Sequence, residues 1–284
     1  MKSSLLRIYK SRKSMIFFWI IILLPLIELS SFYITKIKWG TDYHPAISFF
    51  LSGSGGHIPQ ILLFWFLPIY FLIIYSDSYT QDVRYGYNCI EISKVGKKNY
   101  IRTKFLVSFL APFIIMTLAL GINLLLSYIL FAGGTYSLGL FEMHFANDLL
   151  HNFSLNNPFL TCLIFLLNVS IFSGLAGTLG LSASLVFKEP KYTYPAAFFT
   201  WFVLIVLNNS MMNVFQPFTE YGFHHVVSAE VRYLIILILI PFFSYFIGSR
   251  KMNYNEKISN FSFSSINYVL YFMVYAEQYI YFSS

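Results

Sequence analysis

Apolar residues in this sequence come in unbroken runs about as long as a bilayer is thick, and this restricts the fold more than any motif does. Crossing a hydrocarbon core takes about 20 mainly apolar residues of helix. Six runs meet that need, at residues 15–34, 58–75, 105–131, 159–187, 194–214 and 233–248. Lipid offers the backbone no hydrogen-bond partners, so such runs must be helical. Composition agrees, since 57% of the 284 residues are hydrophobic and 11% charged, whereas roughly a quarter of a soluble domain is charged. The expected fold is all-α, a polytopic membrane protein with about six transmembrane helices. Residues 1–257 read as one transmembrane domain and 258–284 as an aromatic tail. The first run is too long for a signal peptide and has no small-residue cleavage site after it, so it reads as a mature span.

Lys and Arg give the orientation. The amino-terminal segment holds five, the second connection six, the fourth connection two and the tail three, against two, none and one in the other connections. Positive loops stay inside, which places both termini in the cytoplasm. The net charge of +7 is thereby explained by topology, without nucleic acid as a partner. Residues 3–14 mix Leu5, Leu6, Ile8 and Tyr9 with Lys2, Arg7, Lys10, Arg12 and Lys13. They read either as an amphipathic helix lying on the inner leaflet or as a plain topogenic tail. Residues 266–282 are apolar and tyrosine-rich with one charge, Glu277, which favours an interfacial helix over a seventh span.

Catalytic signatures are missing. The sequence has no HExxH, no GxSxG and no GxxxxGK[ST], so no catalytic residues, no metal and no nucleotide site are assigned to this chain. Cys89 and Cys162 form no CxxC pair, which leaves redox chemistry without support. All six histidines fall in or beside outward segments; His144, Asp148 and His151 share a helical face, but interfacial polar residues explain them more simply than a metal does. Glu28 is the exceptional charge inside a span and the candidate for a transport pathway. Gly174, Gly177 and Gly180 form a small-residue stripe suited to close helix packing, within the chain in preference to a dimer seam.

The second inward connection, residues 76–104, carries the most information. Acidic residues lead it (Asp77, Asp82, then Glu91), Gly86 follows the first two, and Lys97, Lys98, Tyr100, Arg102 and Lys104 re-enter the membrane. A topogenic loop needs positive charge, but not about 28 residues of ordered polarity with Ile90, Ile92 and Val95 embedded in them. The arrangement Asp82, Gly86, Ile90, Ser93, Lys97, Tyr100, Lys104 resembles the loop between the second and third spans of type-2 ABC exporter permeases. There, acidic residues and a glycine precede a short coupling helix, and a tyrosine–lysine step enters the third span. Asp82 stands where that family usually has glutamate.

The resemblance implies a bacterial plasma-membrane permease subunit that works with a second permease copy, or a related permease, and with separate ABC ATP-binding subunits. ATP and Mg would sit on those partners and no cofactor on this chain. Coupling would run through residues 83–95, with Asp82, Gly86, Ile90, Glu91, Ser93, Lys97, Tyr100 and Lys104 as its residues. An outer gate would include Pro217, Gly222, His224 and His225. Few fixed charges and many aromatic rings suit an amphipathic or peptide-like cargo, in export of or immunity to an antimicrobial or signalling peptide. The alternative from another class is a membrane immunity or scaffold protein that transports nothing.

Overall fold

The computed structural model describes residues 7–52, 58–137, 139, 149–207, 210–218 and 222–251. The tail 258–284, including residues 266–282, lies outside them, as do His57, His144 and Asp148. The chain forms two units, Met1–Ser249 and Arg250–Ser284; of the second, only the final helical positions Arg250 and Lys251 are described.

The protein is all-helical. Among the described residues no strand occurs, only an isolated bridge between Tyr43 and Tyr136. In chain order the helices are α1 Arg12–Trp39, α2 Pro45–Ser48, α3 Ile58–Trp65, α4 Leu67–Phe71, α5 Ser78–Arg84, α6 Tyr87–Val95, α7 Lys97–Leu130, α8 Leu149–Asn156, α9 Pro158–Phe187, α10 Pro190–Val206 and α11 Phe223–Lys251. A π-helical turn, Leu72–Ser76, follows α4, and a 3-10 turn, Met211–Val214, follows α10.

Among the described residues, four helices are long and apolar enough to cross a membrane: α1, α7, α9 and the Phe223–Phe246 stretch of α11. A fifth crossing is supplied if the bent pair Ile58–Trp65 and Leu67–Ser76 counts as one span. The expected fifth run, 194–214, does not form one helix. Helix α10 has 17 residues, about 26 Å of rise against a hydrocarbon core of about 30 Å, and the chain resumes as the Met211–Val214 turn. Two other spans are longer than expected: α7 begins at Lys97 and α11 at Phe223, because amphipathic turns precede their apolar runs.

Local chemistry sets the ends and breaks. Ser11 caps α1 by accepting from the Ser14 N–H at 3.3 Å, and Gly40, at φ 67°, closes it with an N–H to the Lys36 carbonyl, the left-handed stop glycine allows. Pro158 and Pro190 stand in the first turns of α9 and α10, where a missing N–H costs nothing. The second span bends by 54° at Phe66. Pro68 lacks the N–H that would reach the Phe64 carbonyl, and the Trp201 indole donates to that oxygen instead at 2.8 Å.

Helices α7 and α9 make the most extensive pairing. A Cβ at Gly177 would overlap the Ser108 carbonyl and the Pro112 ring, one at Gly174 would strike the Phe109 ring, and one at Gly180 would press on Leu72 and Ser76. The glycine stripe is thus used for packing within the chain.

Two non-spanning segments enter the core. Residues 45–51 are buried throughout, with Phe49 and Phe50 at 0% exposure, so the first interhelical connection is not simply an outward loop. Residues 211–218 also run through the interior, burying Met211, Val214, Phe215 and Phe218. An aromatic chain joins them, Phe50 to Phe64 at 6.0 Å, Phe64 to Phe215 at 5.2 Å and Phe215 to Phe172 at 5.2 Å. Irregular backbone at such depth needs partners, and side-chain amides provide them. Asn123 Oδ1 accepts from the Phe50 N–H at 2.9 Å, Gln60 donates to the Phe50 carbonyl, and Asn168 donates to the Val214 carbonyl at 3.2 Å.

Candidate functional site

The residues expected to act together in the 76–104 connection divide into a buried ion cluster and an exposed helix. Helix α5 carries Asp82 inward, and Tyr100 and Lys104, one turn apart on α7, meet it on one face. Asp82 Oδ1 lies 2.5 Å from Arg7 Nη1. Its Oδ2 accepts from the Tyr100 hydroxyl at 2.8 Å and pairs with Lys104 Nζ at 2.7 Å. Lys104 also donates to Ser78 Oγ at 3.0 Å and lies 5.4 and 5.5 Å from the ring centroids of Tyr75 and Tyr100. Arg7 Nη2 donates to Gln81 Oε1 at 3.0 Å.

Two carboxyls, five residues apart, sit in opposed electrostatic states. Burial acts to raise the Asp82 pKa, but Lys104, Arg7 and the Tyr100 hydroxyl outweigh it and hold the group below the usual carboxylate range. Asp77 is pushed up by burial despite the neighbouring Thr80, Gln81 and Tyr194 side chains. Gln81 approaches its Oδ2 at 3.4 Å, and its Oδ1 has no well-formed hydrogen bond among the described residues. Tyr79 is raised to about 12 by burial and by the Asp82 charge.

Beyond the cluster the chain turns outward. Gly86 has φ 73° and Gly96 φ 78°, left-handed positions that favour glycine, and between them α6 buries no residue at all. Tyr87 is 57% and Ile90 49% exposed. Glu91 and Lys97 are half-buried and Ser93 is exposed, its hydroxyl turned back to the Ile90 carbonyl at 2.9 Å. The structure therefore brings Asp82, Tyr100 and Lys104 together and leaves Gly86, Ile90, Glu91, Ser93 and Lys97 on a projecting hairpin of helices. Sequence reasoning missed Arg7, Ser78, Gln81 and Tyr194. The Tyr100 and Lys104 spacing was a usable signal; the reach of Arg7 across 75 positions was not.

The other expected positions scatter. Pro217 is buried with residues 211–218, whereas Gly222 and His224 are exposed and His225 half-buried at the start of α11. Of these four residues, Pro217 belongs to the inserted segment and the other three to the start of α11. Glu28 is buried in α1 at 4% exposure. His151 is buried as well. Among the described residues no three His, Cys, Asp or Glu side chains are placed to hold a metal ion.

No family model matches the chain, and no solved structure does. Over 241 residues it is 43% identical to the uncharacterized protein YybM of Bacillus subtilis (strain 168), an alignment that covers 84% of this chain and 94% of that protein. Identity of that extent shows that the chain belongs to the family of YybM.

Proposed function

We propose that this chain is the membrane-spanning permease subunit of an ATP-driven exporter of the type-2 ABC kind. The observation that carries the reading is helix α6, which buries none of its residues and presents Tyr87 and Ile90 to solvent while its base is fixed to the buried Asp82–Lys104–Tyr100 cluster. A helix with no packing role of its own, joined rigidly to a span, suits a lever on which a partner pushes. In this reading α10 with its following turn is the sixth crossing, both termini are cytoplasmic, and α6 faces the cytoplasm of a bacterial cell.

Two permease copies, or this chain and a related one, would line the path, and ATP with Mg would be bound and hydrolysed on separate ATP-binding subunits. This chain would contribute no catalytic group. Movement of α6 would be transmitted through Asp82 to α7 at Lys104 and to the N-terminal segment at Arg7. A force on the loop can shift the spans only if the partner's states bind α6 differently. The spans are rich in aromatic residues and sparsely charged, which fits an amphipathic or peptide-like cargo.

Purification of the intact chain in mild detergent beside the triple variant Asp82→Ala, Gly86→Pro, Glu91→Ala tests the reading. The native chain is expected to bring down an ATP-binding subunit with ATPase activity, and the variant to lose it. Recovery of a well-folded native chain with no associated ATPase would turn the assignment to an immunity or scaffold protein.

A further inference from the structure

The buried face of α1 includes Ile21, Pro25, Glu28 and Phe32, spacings of four, three and four that define a single stripe. Glu28 alone among them is ionisable, and neither of its carboxyl oxygens has a hydrogen-bond partner among the described residues. The turn before it is tied to the inserted segment at Phe50, and the turn after it to Tyr43, two residues ahead of that segment. One turn before, the Pro25 carbonyl accepts from Asn123 Nδ2 at 2.9 Å, and the same amide's oxygen receives the Phe50 N–H at 2.9 Å. One turn after, the Phe32 ring meets Tyr43 edge-on at 5.1 Å, and Tyr43 meets Phe131 at 6.2 Å. Withdrawal of residues 43–51 would break both of these ties beside Glu28 and loosen the packing along this stretch of α1.

Among the described residues, no counter-charge is paired with Glu28. Helix α7 carries no charged residue beyond Lys104 and faces this region with Asn123 and Ser127, while Tyr128 turns to Phe159 of α9. Helix α3 brings Gln60, which donates to the Phe50 carbonyl, and the π turn brings Tyr75, on the far side of the bundle at Lys104. On the inserted segment the titratable groups are His44, whose Nδ1 caps Ala46 at 3.2 Å, and Asp42, which pairs with Lys36 of α1 at 2.6 Å. Cys162 of α9 lies under the segment, its sulfur 3.9 Å from the Ala46 carbonyl. A lone carboxylate in such a site would pay the full desolvation penalty of its charge, and a bound proton removes it.

We infer that Glu28 is a proton-binding site whose occupancy keeps residues 45–51 seated in the bundle. With the segment seated, the carboxyl holds its proton; with the segment withdrawn, water enters, the O–H bond ionises, and the proton passes to that water. By reciprocity the bound proton stabilises the seated form. The inference goes beyond the proposed function and needs no ATPase.

Cys162 is a built-in reporter, since it is fully buried beneath the segment while Cys89 is exposed. The full-length Cys89→Ser protein and its Glu28→Gln derivative are reconstituted in nanodiscs. Labelling of Cys162 by a small methanethiosulfonate is timed from about pH 5 to about pH 9, a range spanning the ionisation of a desolvated carboxyl. The ratio of the two rates cancels the ionisation of the thiol itself. It is expected to stay flat at acid pH and then rise by up to about tenfold per pH unit as Glu28 loses its proton. A ratio that is flat over the whole range overturns the inference. If the Gln variant does not fold, Glu28→Leu replaces it, and the infrared carbonyl band of a protonated carboxylic acid is read in the Cys89→Ser protein at neutral pH. Absence of that band overturns the inference equally.

Discussion

Asp82 is the acceptor that two cations and a phenol share, and its neighbours differ in how far water screens them. The side chains of Asp82 and Lys104 are 7% and 9% exposed, that of Arg7 36%. Removing one partner of a buried pair strands the other, at a cost of about 3–5 kcal/mol, whereas a partly exposed pair contributes about 1 kcal/mol or less. Asp82→Ala is therefore expected to lower the thermal midpoint in detergent far more than Arg7→Ala. The pH dependence has a defined sign. Because the Asp82 pKa is lowered on folding, its pairing stabilises the protein from the ordinary carboxylate range up through neutral pH and is lost as pH falls through the lowered value. The stability gap between native protein and Asp82→Asn should accordingly be constant near neutrality and close in acid. At this scale the sequence shows half of the cluster. Asp82, Tyr100 and Lys104 stand in an ordered loop, but Arg7 lies in a basic segment whose charges all suit lipid headgroups, and nothing local distinguishes the one that turns to a carboxylate. Glu28 was visible as a charge within a span; that it has no hydrogen-bond partner among the described residues is a property of the fold.

Elements show the same division between local and distant causes. The breaks at Gly86 and Gly96 and the bend near Pro68 are written in residue types that stop or free a backbone. What fills the gap at Phe64 is not, since Trp201 lies 137 positions away. Trp201→Phe keeps the ring and loses the N–H, leaving a buried carbonyl unsatisfied, and should destabilise the protein by about 1–3 kcal/mol, measured as a lowered melting temperature. Gly177→Ala places a Cβ on the Ser108 carbonyl; backbone cannot give way as a flexible side chain can, so loss of about 1–3 kcal/mol or more is expected. Gly86→Ala meets no atom within 4 Å, so its cost is conformational only, about 1–2 kcal/mol. The inserted segments were the largest omission. Residues 45–51 read as a connection because hydropathy marks apolar stretches without saying whether lipid or protein covers them, and the amides that satisfy their backbone sit in other helices.

For the molecule as a whole, a bundle of apolar helices carries a short helix that no described residue covers. Lipid explains the exposed Leu125 and Ile129 of α7, because a spanning helix may face hydrocarbon. It does not explain α6, whose exposed Ile90 is flanked by Glu91, Lys94, Lys97 and Lys98 on a connection rich in charge. The protein partner proposed above would account for both the exposed apolar side chain and the charged rim. The most direct measurement places a photo-crosslinking amino acid at position 90 of the full-length protein in its native membrane, with position 125 as a lipid-facing control. The expected result is an adduct at position 90 with an ATP-binding subunit, absent at position 125 and diminished by Asp82→Ala. Adducts at both positions alike, or none with any nucleotide-binding protein, would contradict the account.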